Sequence, residues 1–299
     1  MWTEEIGIKL PANVEPVPVR AIGSNTDWST SLEGVDTVIH LAARVHVLKD
    51  ALSDPISAYR EVNVFGTERL ARAAADRGVK RLVFMSSVKV HGEENEEPYK
   101  ESDPPNPQDP YSASKLEAEL GLKRVSAETG LEIVIIRSPL VYGPGVRANF
   151  LQLLRIVDKG IPLPFLNVDN KRSMIFLGNL LDALITCAKH SSAAGEIYLV
   201  SDGDDVSTPV LIRRLAEALD RPTRLFGVPI GLTEAMAKAF GQTAAIRRLL
   251  GSLRVDARKL SHDTGWNPPF GMGKGLRQTA AWYRNQNSRD SLGKNKTKF

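Results

Sequence analysis

Three stretches of the chain are apolar without a break, and each is parted from the next by a segment of helical spacing. They are VDTVIHLAA (35–43), VKRLVFMSS (79–87) and GLEIVIIRS (130–138). Strands with no polar alternation are covered on both faces, which is how parallel sheets read. Between the first two, ISAYREVNVFGTERLARAAADRG (56–78) repeats its apolar residues at helical spacing and closes on a glycine. Before the third, a loop crowded with prolines and acids (92–110) leads into a helix over 110–129. The alternation predicts an α/β fold, a Rossmann-like doubly wound parallel sheet.

The rest of the 299 residues is less regular. It reads as a helix over about 148–159, a short RSMIF segment, a helix over 179–190, a strand at EIYLV and a helix after Ser207. Ser207 or Thr208 ahead of Pro209 has the form of a helix N-cap followed by a first-turn proline. A helical stretch runs through the 230s and 240s, and KGLRQTAAWYR closes the fold. The expected division is residues 1–147 as a dinucleotide-binding domain and 148–285 as a smaller mixed α/β substrate lobe interleaved with the sheet. Residues 286–299 form a polar tail that frays.

Composition narrows the function. With 42% hydrophobic and 25% charged residues the chain can build a real core. The net charge of +4 is spread among 35 acids, so no basic stripe offers itself to nucleic acid. Cys187 is the only cysteine and sits in an apolar run, which reads as a core thiol. Neither a signal-like N-terminus nor eighteen consecutive apolar residues occurs, so a cytoplasmic protein with no membrane partner is expected.

The segment DPYSASKLEAEL (109–120) carries the chemistry. Asp109 and Pro110 make a helix start, and Tyr111 and Lys115 lie i,i+4 on one face. An ammonium near a phenol favours the phenolate, bringing a pKa of about 10 toward the range of proton exchange. Alone the pair is as readily two surface residues. Ser86 and Ser87 change the balance, because they end an inner strand and the crevice beyond strand ends is where open α/β sheets bind ligands. Ser86 is read as turn chemistry, Ser87 as a hydroxyl directed at substrate.

VIHLAA, NVFGTERL, FMSSVKVHG, YSASK and IIRSPLVYGPG, in that order, resemble the extended short-chain dehydrogenase/reductase family. The likeness, over roughly residues 17–285, is to its NAD-dependent epimerase/dehydratase branch and to proteins similar to UDP-glucose 4-epimerase from bacterial surface-polysaccharide gene sets. It implies NAD or NADP as cofactor, a nucleotide-sugar substrate that is UDP-linked, and a homodimer through a helix pair that includes the Tyr111 helix. It implies no metal. By the same resemblance Tyr111 is the catalytic acid/base, Lys115 holds the nicotinamide ribose, and Ser87 orients the substrate. Leu41, Ala42 and Ala43 pass along the cofactor, and Asn63 matches the asparagine of the N-x-x-G-T motif. Arg172 meets a sugar-nucleotide phosphate, or is a surface charge on a strand edge. The implied activity is 4-epimerisation or 4-keto-sugar reduction, and a cofactor-free scaffold protein is the alternative.

Departures from the pattern matter too. Val88 and Lys89 occupy the places of the Asp-Glu pair that dehydratases use for water loss, so dehydration is discounted. Leu140 replaces a frequent asparagine and His91 a tyrosine, the latter read as packing. No G-x-x-G-x-x-G loop precedes VIHLAA, and FGMGKGL (270–276) has no strand before it. On spacing, VPVRAIG (17–23) corresponds to the third strand, and TVIHL becomes a bare apolar edge. Either the chain is shortened at its start or residues 1–25 do something unusual there.

Overall fold

A computed structural model describes residues 10–19, 21–45, 54–229 and 243–295. Its centre is a four-stranded parallel sheet in the order β1-β2-β3-β6. The strands are β1 (Thr37–His40), β2 (Arg81–Ser87), β3 (Glu132–Ser138) and β6 (Ile197–Leu199). Register runs Val38 to Leu82 and Leu82 to Ile133, and Ser87 ends opposite Ser138. β6 joins beside Ile135, Ile136 and Arg137. A second, two-stranded parallel sheet pairs β4 (Leu140–Tyr142) with β5 (Met174–Phe176).

The continuous apolar runs have the expected cause, since both faces of the main sheet are covered. Leu82, Phe84, Ile133 and Ile135 point to one side. There they meet Leu70, Ala71 and Ala74 of α2 (Gly66–Asp76) and Ala118, Leu122 and Val125 of α3 (Pro110–Thr129). Val83, Val134 and Ile136 point to the other side, against Leu180, Ala183 and Cys187 of α5 (Leu177–Lys189). Leu260 of α8 (Arg258–Thr264) and Trp266 complete that layer. Burial pushes the Cys187 thiol up to about 12, which leaves it a protonated core group.

A third core lies in the C-terminal half. Tyr142 and Phe176 pack with Phe150, Leu153 and Leu154 of α4 (Ala148–Asp158) and Leu211, Ile212 and Leu215 of α6 (Thr208–Ala218). Leu276, Ala280 and Tyr283 of α9 (Met272–Asn295) close it. The remaining helices are α1 (Pro55–Arg60), joined to α2 by a π-helical turn at Glu61–Phe65, and α7 (Thr243–Leu250). No helix among the described residues is long and apolar enough to cross a membrane.

Two expectations change, a third is qualified, and a fourth lies outside the described residues. Residues 17–19 and 21–23 are irregular rather than a strand, and Val19 and Ile22 serve only as packing against the α2 layer. A strand needs a neighbour to bond, and β1 pairs with β2 alone, its Ile39 39% and the following Leu41 53% exposed. The tail read from residue 286 begins with ten helical residues, since α9 runs to Asn295. That stretch holds no proline and one glycine, so its amide ladder continues without an apolar stripe. Ser207 caps α6 by position without a side-chain bond, while the Thr208 hydroxyl turns away to the Leu249 carbonyl at 2.5 Å. The helical stretch placed in the 230s falls at 230–242, outside the described residues.

Candidate active site

The site is built where β2 ends against the start of α3. Asp109 caps the helix by accepting the Ser112 amide at 2.7 Å, the Ser112 hydroxyl returns the bond in a capping box, and Pro110 fills the first turn. Gly130, in the left-handed region at φ 77°, stops the helix twenty residues later. Tyr111 and Lys115 thus start a helix fixed at both ends.

Lys115 is 2% exposed and donates to the Met85 carbonyl at 2.7 Å, with its ammonium 4.4 Å from the Phe84 ring centroid. Met85 lies two residues before Ser87 on β2, so this bond ties the helix to the strand that carries the serine. Burial lowers the lysine to about 8, with Glu119 acting the other way. The expectation of an acidified phenol is corrected. Burial raises Tyr111 to about 12, with Asp109 and Tyr59 adding to it. The i,i+4 ammonium goes down onto a strand carbonyl instead of across to the phenol, and desolvation decides the direction.

Ser86 and Ser87 divide their work differently from the expectation. The Ser87 oxygen accepts the Lys89 amide at 3.3 Å and caps the 3-10 turn Val88–Val90, which is turn chemistry; its hydroxyl proton points no bond into that turn. Ser86 is 2% exposed and donates to Glu119 Oε1 at 2.5 Å, away from the crevice. Side-chain direction alternates along a strand, so neighbouring serines must face opposite ways.

The two residues in the dehydratase positions have other employment. Val88 packs with Leu199, Leu253 and Val255. Lys89 reaches Glu93 at 2.5 Å and Asp109 at 2.7 Å, stapling the strand-end turn to the helix cap. Burial pushes the Asp109 carboxyl up, yet Lys89 and the Ser112 amide hold it below its ordinary value.

Leu41 and Ala42 are exposed and Ala43 half-buried, just beyond β1. Asn63 is 1% exposed and accepts the Arg44 amide at 2.7 Å. Its amide group donates to the Arg44 carbonyl at 3.0 Å and to Ser114 Oγ at 2.9 Å. It therefore braces the 41–44 turn against the tyrosine helix from within the π-helical turn. Arg172 lies apart, half-buried, its Nη1 donating to the carbonyls of Arg248 at 2.7 Å and Gly251 at 3.0 Å, at the end of α7. Burial, then Arg248, lowers it. A cleft of about 510 Å³ lined by Ser201, Asp205, Arg258 and Trp266 among others includes none of Ser87, Tyr111 and Lys115.

Sequence reasoning passed over His40, Glu119 and Arg137. His40 ends β1 with Nε2 3.0 Å from Thr67 Oγ1 and its ring stacked 5.7 Å from Phe84, and burial lowers it to about 4. Glu119 stands four residues after Lys115, a signal in plain view; Arg137, a lone charge in an apolar strand, is another.

Comparison with known proteins agrees with this architecture. The family model described as NAD dependent epimerase/dehydratase family matches residues 20–201. A UDP-glucose 4-epimerase of Vibrio cholerae is 45% identical over 271 residues, covering 90% of this chain and 83% of that one. The N-acetyl-alpha-D-glucosaminyl-diphospho-ditrans,octacis-undecaprenol 4-epimerase of Escherichia coli O157:H7 is 30% identical, covering 83% and 78%. Among solved structures, MoeE5 in complex with UDP-glucose and NAD superposes with a TM-score of 0.69 at 25% identity, covering 88% and 84%. The family model over residues 20–201, together with a relative 45% identical over 90% of the chain, places the chain in the NAD-dependent epimerase/dehydratase family.

Proposed function

We propose that the protein is a nucleotide-sugar 4-epimerase or 4-keto-sugar reductase that works at sugar C4 on a UDP-linked substrate, in the making of surface polysaccharide. The observation that carries this is the Lys115 bond to Met85, which sets the Tyr111 helix on the strand ending at Ser87. The 45% identical UDP-glucose 4-epimerase supports the choice of substrate.

The described residues fit the ribose end of a dinucleotide. A buried ammonium with three donors and one carbonyl partner has hydrogens left for ribose hydroxyls. Asn63 holds the 41–44 turn in place beside it. For the pyrophosphate, no glycine-rich turn at a helix start stands before β1 among these residues. NAD or NADP, when bound, supplies the hydride acceptor. Ser87 donates a hydrogen bond to the C4 oxygen and keeps its proton, while Tyr111 takes the proton of that hydroxyl and later returns it. A phenol held near 12 gives up its proton reluctantly, so the oxyanion form of Tyr111 gains most from a cation brought close to it during binding. Dehydration has no acid at the Val88 and Lys89 positions.

Conversion of UDP-glucose to UDP-galactose by the purified chain, with NAD present, tests the proposal. Tyr111→Phe is expected to lower kcat by about a hundredfold or more. Full activity in that variant would remove Tyr111 from the chemistry. Net consumption of reduced cofactor with a 4-keto sugar identifies the reductase.

A further inference from the structure

Behind the strand ends lies a buried polar cluster that the proposed chemistry does not use. Arg137 of β3 stands opposite Ser86 of β2. Its guanidinium grips Glu119 of α3 with two bonds, Nε to Oε1 at 3.1 Å and Nη2 to Oε2 at 2.6 Å. The side chains are 4% and 2% exposed. Ser86 donates to the same carboxylate at 2.5 Å. On its far side Arg137 Nη1 meets His91 Nε2 at 2.8 Å and the Glu101 carbonyl at 3.4 Å. A guanidinium only donates, so the His91 nitrogen accepts and the ring is neutral. Burial, with Arg137 next, lowers that histidine to about 4, in keeping with this.

Stability does not account for such a cluster. Taking two charges out of water costs several kcal/mol each, and well-packed apolar residues in their place are often neutral or stabilising. What the cluster does is geometric. One carboxylate on the tyrosine helix is bonded to side chains from two adjacent strands, and through Arg137 to the loop that leads into the helix cap. Glu119 follows Lys115 by four residues and Tyr111 by eight, so all three share one helical face.

We propose that Glu119 is a positioning residue: clamped by Arg137 and Ser86, it fixes the height of the tyrosine helix over β2 and with it the placement of the Lys115 ammonium on the Met85 carbonyl. The inference rests on the epimerase or reductase reading for its kinetic consequence, and on geometry alone for its structural one. The groups facing Lys115 are Glu119 on its own helix, the Met85 carbonyl and Phe84 ring of β2, and neutral His40 of β1.

The test pairs Glu119→Met with Arg137→Met, which removes one charge of each sign; loss of the Glu119 charge by itself lowers the Lys115 titration, so a rise reports water reaching the ammonium. Lys115 is followed by NMR of 13C-labelled lysine side chains, and kcat and KM are measured with UDP-glucose. In the double variant the Lys115 titration is expected to rise by about one unit or more, as a loosened helix lets water reach the ammonium. The expected kinetic change is a kcat lower by about tenfold or more, with KM held within about twofold. Ser86→Ala, a milder change that leaves the ion pair intact, is expected to move both readouts in the same direction, and decides the matter if the double variant does not fold. A Lys115 titration equal to the parent's in the folded variant overturns the proposal. Should the parent turn over no nucleotide sugar, the functional reading fails while the titration still decides the role of Glu119.

Discussion

Lys115 shows what a single side chain gives up to be useful. An ammonium that is 2% exposed and held near 8 destabilises the folded chain wherever it is protonated. Its unfolded value is the ordinary one, about 10.5, so the sign is fixed. Its full contribution to stability is present above that pH, and is lost as pH falls from there to about 8. Lys115→Met is therefore expected to unfold at a higher urea midpoint than the parent at pH 7, by up to a few kcal/mol, and to lose turnover. A lower midpoint would show that the Met85 bond outweighs the cost of burial. Tyr111, Lys115 and Ser87 could be singled out because their spacing and place in the fold carry a mechanism, and Asn63 by resemblance alone. The charge states were not, since a spacing of four says that two residues share a face and nothing of how dry that face is. Glu119 and Arg137 escaped because their pairing, eighteen residues apart, exists only in the register of β2, β3 and the helix between them.

At the scale of the element, α3 depends on a cap that does two jobs. Asp109 accepts the Ser112 amide and binds the Lys89 ammonium at 2.7 Å, joining the helix start to the turn after β2. Asp109→Ala is expected to cost about 1–2 kcal/mol in urea unfolding, the upper range for a lost cap because Lys89 loses a partner as well. Lys89→Met, which leaves the cap intact, should cost less; equal losses would mean that the ion pair and not the cap holds the helix. The helix was readable to the residue at both ends, as Asp-Pro starts and glycine stops are local chemistry. β4 and α8, of three and seven residues, were not, being too short for any period to declare itself. VPVRAIG read as a strand on spacing, but strand formation is a property of a pair.

Across the whole molecule, two buried histidines set the response to acid. His40 and His91 are 4% and 1% exposed and both held near 4 by burial. Their contribution to stability is present above about 6.5 and is lost as pH falls toward 4, because the unfolded chain takes up protons that the folded one refuses. Burial raises Glu101 and Asp202, which works the opposite way in the acid range. The parent is expected to lose up to roughly 3 kcal/mol per pH unit from the two rings, and a His40→Gln/His91→Gln variant to show a flatter profile in urea unfolding from pH 7 to 4. Parallel profiles would assign acid sensitivity to the carboxyls. The doubly wound sheet was legible because burial on both faces writes itself into unbroken apolar runs. That a separate C-terminal core shares the chain was not, because the residues that meet in it are scattered from Tyr142 to Tyr283.

That scatter has a meaning for synthesis on the ribosome. The residues of the sheet layer beneath α2 and α3, from Trp28 to Ile135, all precede those of the aromatic centre in order of synthesis. The aromatic centre around Tyr142 and Phe176 must wait for Leu276, Ala280 and Tyr283, which arrive last. The nascent protein thus passes through a stage with a finished layer and an open apolar wound. A premature stop anywhere in α9 before Tyr283 leaves that wound unclosed, so such products are marked for chaperones and proteases by the hydrophobic surface they cannot hide.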